Sequence, residues 1–203
     1  MWGTVSRGDI TYTLDMGRWK PGAGDRLREA ALSLYLERGF EQTMVADIAE
    51  RAGVTARTFF RYFTDKREVL FDDYSDLEEK ALAALDGVPA GTSALDAVAA
   101  VLDTVARMVG GDRELARKRQ TVVMANADLR ERELIKLTSL SAALADRLRQ
   151  GGIGDIDASL AAETSIAVFR VAFSRWVTAT DDQDLQDIIR ETLDRLRTLS
   201  AGR

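Results

Sequence analysis

The sequence contains no cysteine and no histidine, and these two absences remove more chemistry than any segment adds. Disulfide frameworks, thiol nucleophiles, Cys/His zinc sites and Ser-His-Asp triads are excluded. Enzyme chemistry would have to rest on carboxylates, lysine, tyrosine or a hydroxyl activated by one of these. Acidic pairs such as Glu78-Glu79 and Asp181-Asp182 are sequence neighbours, so on a helix they point apart rather than converge. The expectation is a non-enzyme without metal or cofactor; the competing readings are an all-helical enzyme or small-molecule carrier and an architectural or interaction module. There is also no apolar run of the roughly 18 residues that spans a bilayer, and no N-terminal basic patch leading into an apolar core and a cleavage site. This predicts a soluble, cytoplasmic protein with no membrane partner.

Proline is nearly absent, with 2 residues at Pro21 and Pro89, and the remainder is rich in Ala, Leu, Arg and Glu at helical rather than alternating spacing. The fold class is all-α. Residues 1–24 hold Gly3, Gly8, Gly17, Gly22 and Gly24 without a sustained period and are read as a disordered arm, from which Arg18 and Lys20 could touch a polyanion. Met16 also reads as an ordinary start, which would make the preceding residues an artefact. The first helix is expected over residues 25–38, with Leu27, Ala30, Ala31, Leu34 and Tyr35 as its apolar stripe. Short helices are expected next over 44–52 and 55–62. At Asp65, Asp65-Lys66-Arg67-Glu68 reads as a capping box opening one long helix to residue 85. Five more are predicted over 93–109, 113–126, 129–149, 157–180 and 182–199, broken at Gly110-Gly111, Asp128, the Gly151–Gly154 stretch and Asp181-Asp182.

Charge is distributed unevenly. The net charge of -5 argues against polyanion binding over the whole surface, yet Arg57, Arg61, Lys66 and Arg67 crowd into one short segment. In that segment Thr43 is placed to cap a helix, Val45, Ile48, Ala49 and Ala52 face a core, Gly53 suits a left-handed turn, and Thr55 caps the next helix. Two short helices joined this way form a helix-turn-helix, whose second member fits a DNA major groove. Phe59 and Phe63, four apart, anchor that helix. Arg57 and Arg61, also four apart, share another face, where an arginine can grip guanine O6 and N7 or a phosphate. Thr55, Thr58 and Tyr62 add hydroxyls, and Lys66 is placed to meet the same phosphate strand.

Gly39-Phe40, Thr43, Ile48-Ala49, Ala52-Gly53-Val54, Thr58-Phe59, Arg61-Tyr62-Phe63, Lys66 and Leu70 together resemble the TetR family of repressors, strongly over residues 25–71. The resemblance implies an N-terminal three-helix DNA-binding domain (residues 25–67), a C-terminal helical ligand-binding and dimerisation domain (68–203), and a homodimer on double-stranded DNA carrying a palindromic operator, released by a small-molecule effector. It assigns DNA contact to Thr43, Thr55, Arg57, Thr58, Arg61, Tyr62 and Lys66. The chain departs from the family at Met44, where a second threonine is usual, at Ala46, where a polar base-reader is common, and at Phe60, where tyrosine is frequent, so base reading should shift towards Arg57.

The C-terminal part is less legible. Tyr74, Leu77, Met108, Val122, Met124 and Phe169, with Phe173, are candidates to line an effector pocket, though each is equally credible as packing. Trp176, Ile189, Leu193 and Leu196 on the last two helices are candidates for a four-helix dimer seam. Arg117-Lys118-Arg119 reads as a solvated helix face; the alternative is an acid-ligand contact from Arg119 or Arg170.

Overall fold

The computed structural model describes residues 22–202. The alternative start at Met16, the arm up to Pro21 and its cations Arg18 and Lys20 lie outside these residues. Among the described residues the chain forms nine α-helices, one short 3-10 turn and no strand.

Helix α1 (Ala23–Arg38) begins two residues earlier than its apolar stripe predicts. The reason is local: the Asp25 carboxylate accepts the Gly22 N–H at 3.0 Å, satisfying one of the donors that a helix start leaves open. The helix stops at Gly39, whose φ of 88° is a backbone region costly for residues with a Cβ. Phe40 then folds back against Tyr35, ring centroids 5.2 Å apart. Helix α2 (Val45–Arg51) is capped by Asp47, which accepts the Met44 N–H at 2.9 Å. Thr43 is therefore not the cap it was expected to be. The turn after α2 passes through Gly53 at φ 66°, and the Thr55 hydroxyl accepts the Thr58 N–H to start α3 (Ala56–Tyr62).

Leu27, Ala31 and Tyr35 of α1, Ile48 and Ala49 of α2, and Phe59 and Phe63 of the α3 region form one buried cluster. It does not close on itself: Val122 and Val123 of α6 (Arg113–Ala125) and Leu129 of α7 (Ala127–Gln150) complete it, as do Val69 and Phe71. Val122 is 4% exposed here and does not line the cavity among the C-terminal helices, which corrects its expected pocket role.

The long helix expected from Asp65 is broken. Asp65 does cap, accepting the N–H groups of Arg67 at 2.7 Å and Glu68 at 3.3 Å. It opens only the 3-10 turn Glu68–Leu70, and α4 begins at Tyr74 (Tyr74–Asp86). Val69 and Phe71 turn into the N-terminal cluster, whereas Leu77 and Ala81 face a separate C-terminal one. The chain breaks its helix to serve both.

Helices α5 (Ala94–Val109), α7, α8 (Asp155–Thr178) and α9 (Leu185–Ser200) build the C-terminal part, α7 and α8 as a tight hairpin joined through Gly152 at φ 90°. Trp176 is 2% exposed and packs with Leu102, Ala106, Ile188, Ile189 and Leu193; Leu196 is partly buried beside them. The residues expected at a dimer seam are thus the protomer's own core, since α9 turns its apolar stripe inward against α5 and α8. Its outer face carries charge, including Arg190, Glu191, Asp194 and Arg197.

Phe59 is fully buried at the centre of the N-terminal cluster. Phe59→Ala should lower unfolding stability by about 3–5 kcal/mol, read by urea denaturation. A loss under about 1 kcal/mol would mean that α3 is held by other contacts.

Candidate functional site

The outer surface of α3 is set by what its inner surface buries. With Phe59 and Phe63 inside, Arg57, Phe60, Arg61 and Tyr62 face outward, and Phe60 is 58% exposed. Thr55 is exposed and Thr58 half-buried, their hydroxyls 3.1 Å apart. Arg57, Thr58, Phe60 and Arg61 border a shallow hollow. Among the described residues Arg57 has no ion-pair partner, and the Arg61 guanidinium lies 5.2 Å from the Tyr62 ring. Neighbouring cations are engaged: Arg51 grips Glu37 through two bonds of 2.9 and 3.0 Å, Arg38 pairs with Asp47 at 3.0 Å, and Arg67 pairs with Asp65 at 2.9 Å. A positive face with free donors is what groove and phosphate recognition requires. The Tyr62 ring also rests against Gly24, where an added Cβ would come within 3.5 Å of it.

Two residues assigned to DNA are otherwise occupied. Thr43 is 1% exposed, and its hydroxyl donates to the Gly39 carbonyl at 2.8 Å. The Lys66 ammonium donates to the carbonyls of Phe40 (2.8 Å), Thr43 (3.1 Å) and Glu41 (3.4 Å) and lies 4.2 Å from the Phe40 ring centre. An ammonium has three N–H donors, and all three are taken. Lys66 ties down the α1–α2 loop instead of reaching outward. Met44, which sequence reasoning treated only as a lost threonine, is 68% exposed at the start of α2, on this same module.

Deeper in the chain, a cavity of about 1080 Å³ opens among the C-terminal helices. Tyr74, Leu77, Met108, Met124, Phe169 and Phe173 all line it, with the last two rings stacked 5.5 Å apart. Arg119, Gln120, Glu133 and Ser165 supply polar wall. Burial pushes the Tyr74 hydroxyl pKa upward, partly offset by the nearby Arg119 charge. Arg119 is not on a solvated face: its side chain is largely buried and pairs with Glu133 at 3.1 Å. Next to it, Glu68 pairs with Arg132 and, at 3.2 Å, with Lys136. Burial alone would raise the Glu68 pKa, but these two bonds outweigh it and hold the carboxyl below its ordinary range. The 3-10 turn is therefore fastened to α7 by charge and to α6 by Arg119.

Residues 27–72 match the family described as bacterial regulatory proteins, tetR family, and residues 92–200 match the MftR C-terminal domain. The chain is also 33% identical over 185 residues to the HTH-type transcriptional regulator TcmR of Streptomyces glaucescens, covering 85% of this chain and 82% of that protein. This chain belongs to the TetR family. It is a DNA-binding transcriptional regulator with an N-terminal helix-turn-helix and a C-terminal helical domain. A second relative is the putative mycofactocin biosynthesis transcriptional regulator MftR of Mycobacterium tuberculosis, 25% identical over 80% of this chain and 83% of that one. Among solved structures, the fatty acid degradation regulator FadR of Bacillus halodurans shares the fold with TM-score 0.63 at 21% identity, covering 87% of this chain and 95% of that one. FadR of Bacillus subtilis, solved in complex with stearoyl-CoA, gives 0.62 at 23% identity over 85% and 96%. Among the described residues no helix is long and apolar enough to cross a membrane.

The placement of Lys66 separates two roles. Lys66→Met should lower stability by about 1–3 kcal/mol, read by thermal or urea unfolding, and leave the salt dependence of DNA binding unchanged. A fall of about 0.9 in the slope of log K against log salt would restore Lys66 as a phosphate contact.

Proposed function

We propose that this TetR-family regulator is a homodimeric repressor that binds a palindromic operator and is released by a largely apolar small molecule held in the C-terminal cavity. The carrying observation is the unpaired arginine face of α3 on a module whose core is completed by α6, the helix that also lines the cavity. Arg57 is the base reader and Arg61 shares phosphate and base contact, with Thr55, Thr58 and Tyr62 as hydroxyl donors. Thr43 and Lys66 shape the loop that presents them.

Surface left uncovered by the protomer supports a dimer. Leu134 and Ile135 of α7 and Ile156, Leu160 and Val171 of α8 are exposed. On α8, Ile156, Leu160, Ala167 and Val171 fall on one face at helical spacing, a face that also carries the exposed polar Glu163 and Ser174, and of these Ala167, Val171 and Ser174 also border the cavity. A second copy laying the same face against it makes a two-fold four-helix seam, and two-fold protein symmetry calls for two-fold operator symmetry. The seam uses α7 and α8 in place of the residues of α9.

The apolar cavity wall supports an effector with a large apolar part, as do the acyl chains of the stearoyl-CoA and lauroyl-CoA bound in the FadR structures from Bacillus subtilis and Thermus thermophilus. Release requires only that the effector prefer a conformation whose two recognition helices are wrongly spaced.

Selection of bound sequences from random duplexes should return a palindrome. Arg57→Ala should relax one position per half-site, at a cost of about 1–3 kcal/mol; equal weakening on every sequence would remove Arg57 from base reading. Leu160→Asp should give monomers by analytical ultracentrifugation, together with loss of palindrome binding. A variant that stayed dimeric would place the seam elsewhere.

A further inference from the structure

An exposed aromatic ring stands beside the arginines of α3. Phe60 is 58% exposed, although a phenyl group is better placed out of water. The helix period puts it there: with Phe59 turned inward, residues 57, 60 and 61 fall at i, i+3 and i+4 on the outward side of α3. Its ring meets the fully buried Phe59 ring edge to face, with centroids 5.4 Å apart and planes at 83°, a geometry that favours one orientation. Phe60 also borders the shallow hollow that Arg57, Thr58 and Arg61 share.

A phenyl ring brings no hydrogen-bonding group, so it cannot serve the phosphates and polar base edges that arginine and hydroxyl groups serve. The major-groove edges of the four bases display donors and acceptors, and one apolar group, the C5-methyl of thymine. A tyrosine at this position would carry a hydroxyl at the ring tip, able to donate to a phosphate. Phenylalanine lacks it, which leaves apolar contact as the ring's contribution. Resting on the reading of α3 under Proposed function, we infer that Phe60 is a specificity residue that packs on a thymine C5-methyl group in the major groove, beside the base pair that Arg57 reads.

Spacing limits where that thymine lies. Side chains at i and i+3 of a helix start about 5–6 Å apart, and one DNA strand advances about 3.4 Å per nucleotide, so the thymine falls within about two base pairs of the position that Arg57 reads. Three other groups on the module could meet a methyl: Ala56, the Thr58 γ-methyl and Met44. Ala56 is exposed but ends at its Cβ, and Thr58 is half-buried with its hydroxyl 3.1 Å from that of Thr55. Met44 is 68% exposed, but it stands at the start of α2 and not on α3. Phe60 offers the largest apolar surface on the outward side of α3, and it is held next to Arg57 by the helix itself.

The test uses the full-length protein and the operator recovered by selection, with affinity read by fluorescence anisotropy. Each thymine of one half-site is replaced in turn by deoxyuridine, which keeps the base pair and every hydrogen-bonding group and removes only the methyl. One replacement, within about two base pairs of the position that Arg57→Ala relaxes, should weaken wild-type binding about three- to fivefold. Phe60→Ala should make the protein indifferent to that replacement, and Phe60→Tyr, which keeps the ring, should retain the discrimination. The wild-type series needs no substitution, so it carries the test should Phe60→Ala melt early. Wild type indifferent to every replacement, or a half-site without thymine in that window, would overturn the inference. So would an equal loss in Phe60→Ala on thymine and deoxyuridine operators, which makes Phe60 a backbone or structural contact. Discrimination that survived in Phe60→Ala would give the methyl to Ala56, Thr58 or Met44 and overturn it as well. In each of these cases the reading of α3 stands; that reading falls, and the inference with it, if selection returns no preferred sequence.

Discussion

The N-terminal module cannot finish its own core, and the consequences of that shortage run through the molecule. Helices α1 to α3 supply Leu27, Tyr35, Ile48 and Phe59, but the cluster closes only when Val122, Val123 and Leu129 enter from α6 and α7. A unit this small buries too little apolar surface to stand securely alone. Borrowing side chains from the C-terminal helices remedies this and ties α1, and through the shared cluster α3, to α6.

The segment between the two parts is built for that dependence. Its turn at Glu68–Leu70 is held by Arg132 and Lys136 from α7 and by Arg119 from α6, while Phe71 reaches into one core and Leu77 into another. Most connections between packed units rely on apolar contact, which tolerates small slides. This one relies on directional bonds, which are either made or broken. An occupant of the cavity meets that same set of side chains, because Leu70, Tyr74, Arg119 and Glu133 are all part of its wall.

Charge is arranged with similar selectivity. In a chain with net charge -5, cations near the helix-turn-helix are mostly paired, Arg51 with Glu37 and Arg28 with Asp25 and Asp72. Those pairs steady α1 and α2 against their neighbours. Arg57 and Arg61 lie on the surface left after Phe59 and Phe63 have turned inward, and so a local positive face persists on an acidic protein.

Sequence alone determined what depends on neighbours along the chain. Helical periodicity, glycines at φ 88° and 66°, the Thr55 cap and the opposition of Phe59 to Arg57 are all local, and each was legible from residue type and spacing. Only tertiary structure decided questions in which a residue's partner is remote. An apolar stripe such as Trp176, Ile189 and Leu193 reads the same whether it faces its own protomer or another, and here α5 claims it. Lys66 and Arg119 look like surface cations until the carbonyls of Phe40 and Leu70 arrive from distant parts of the chain. Val122 was ambiguous for the same reason: hydrophobicity specifies burial without specifying in which core.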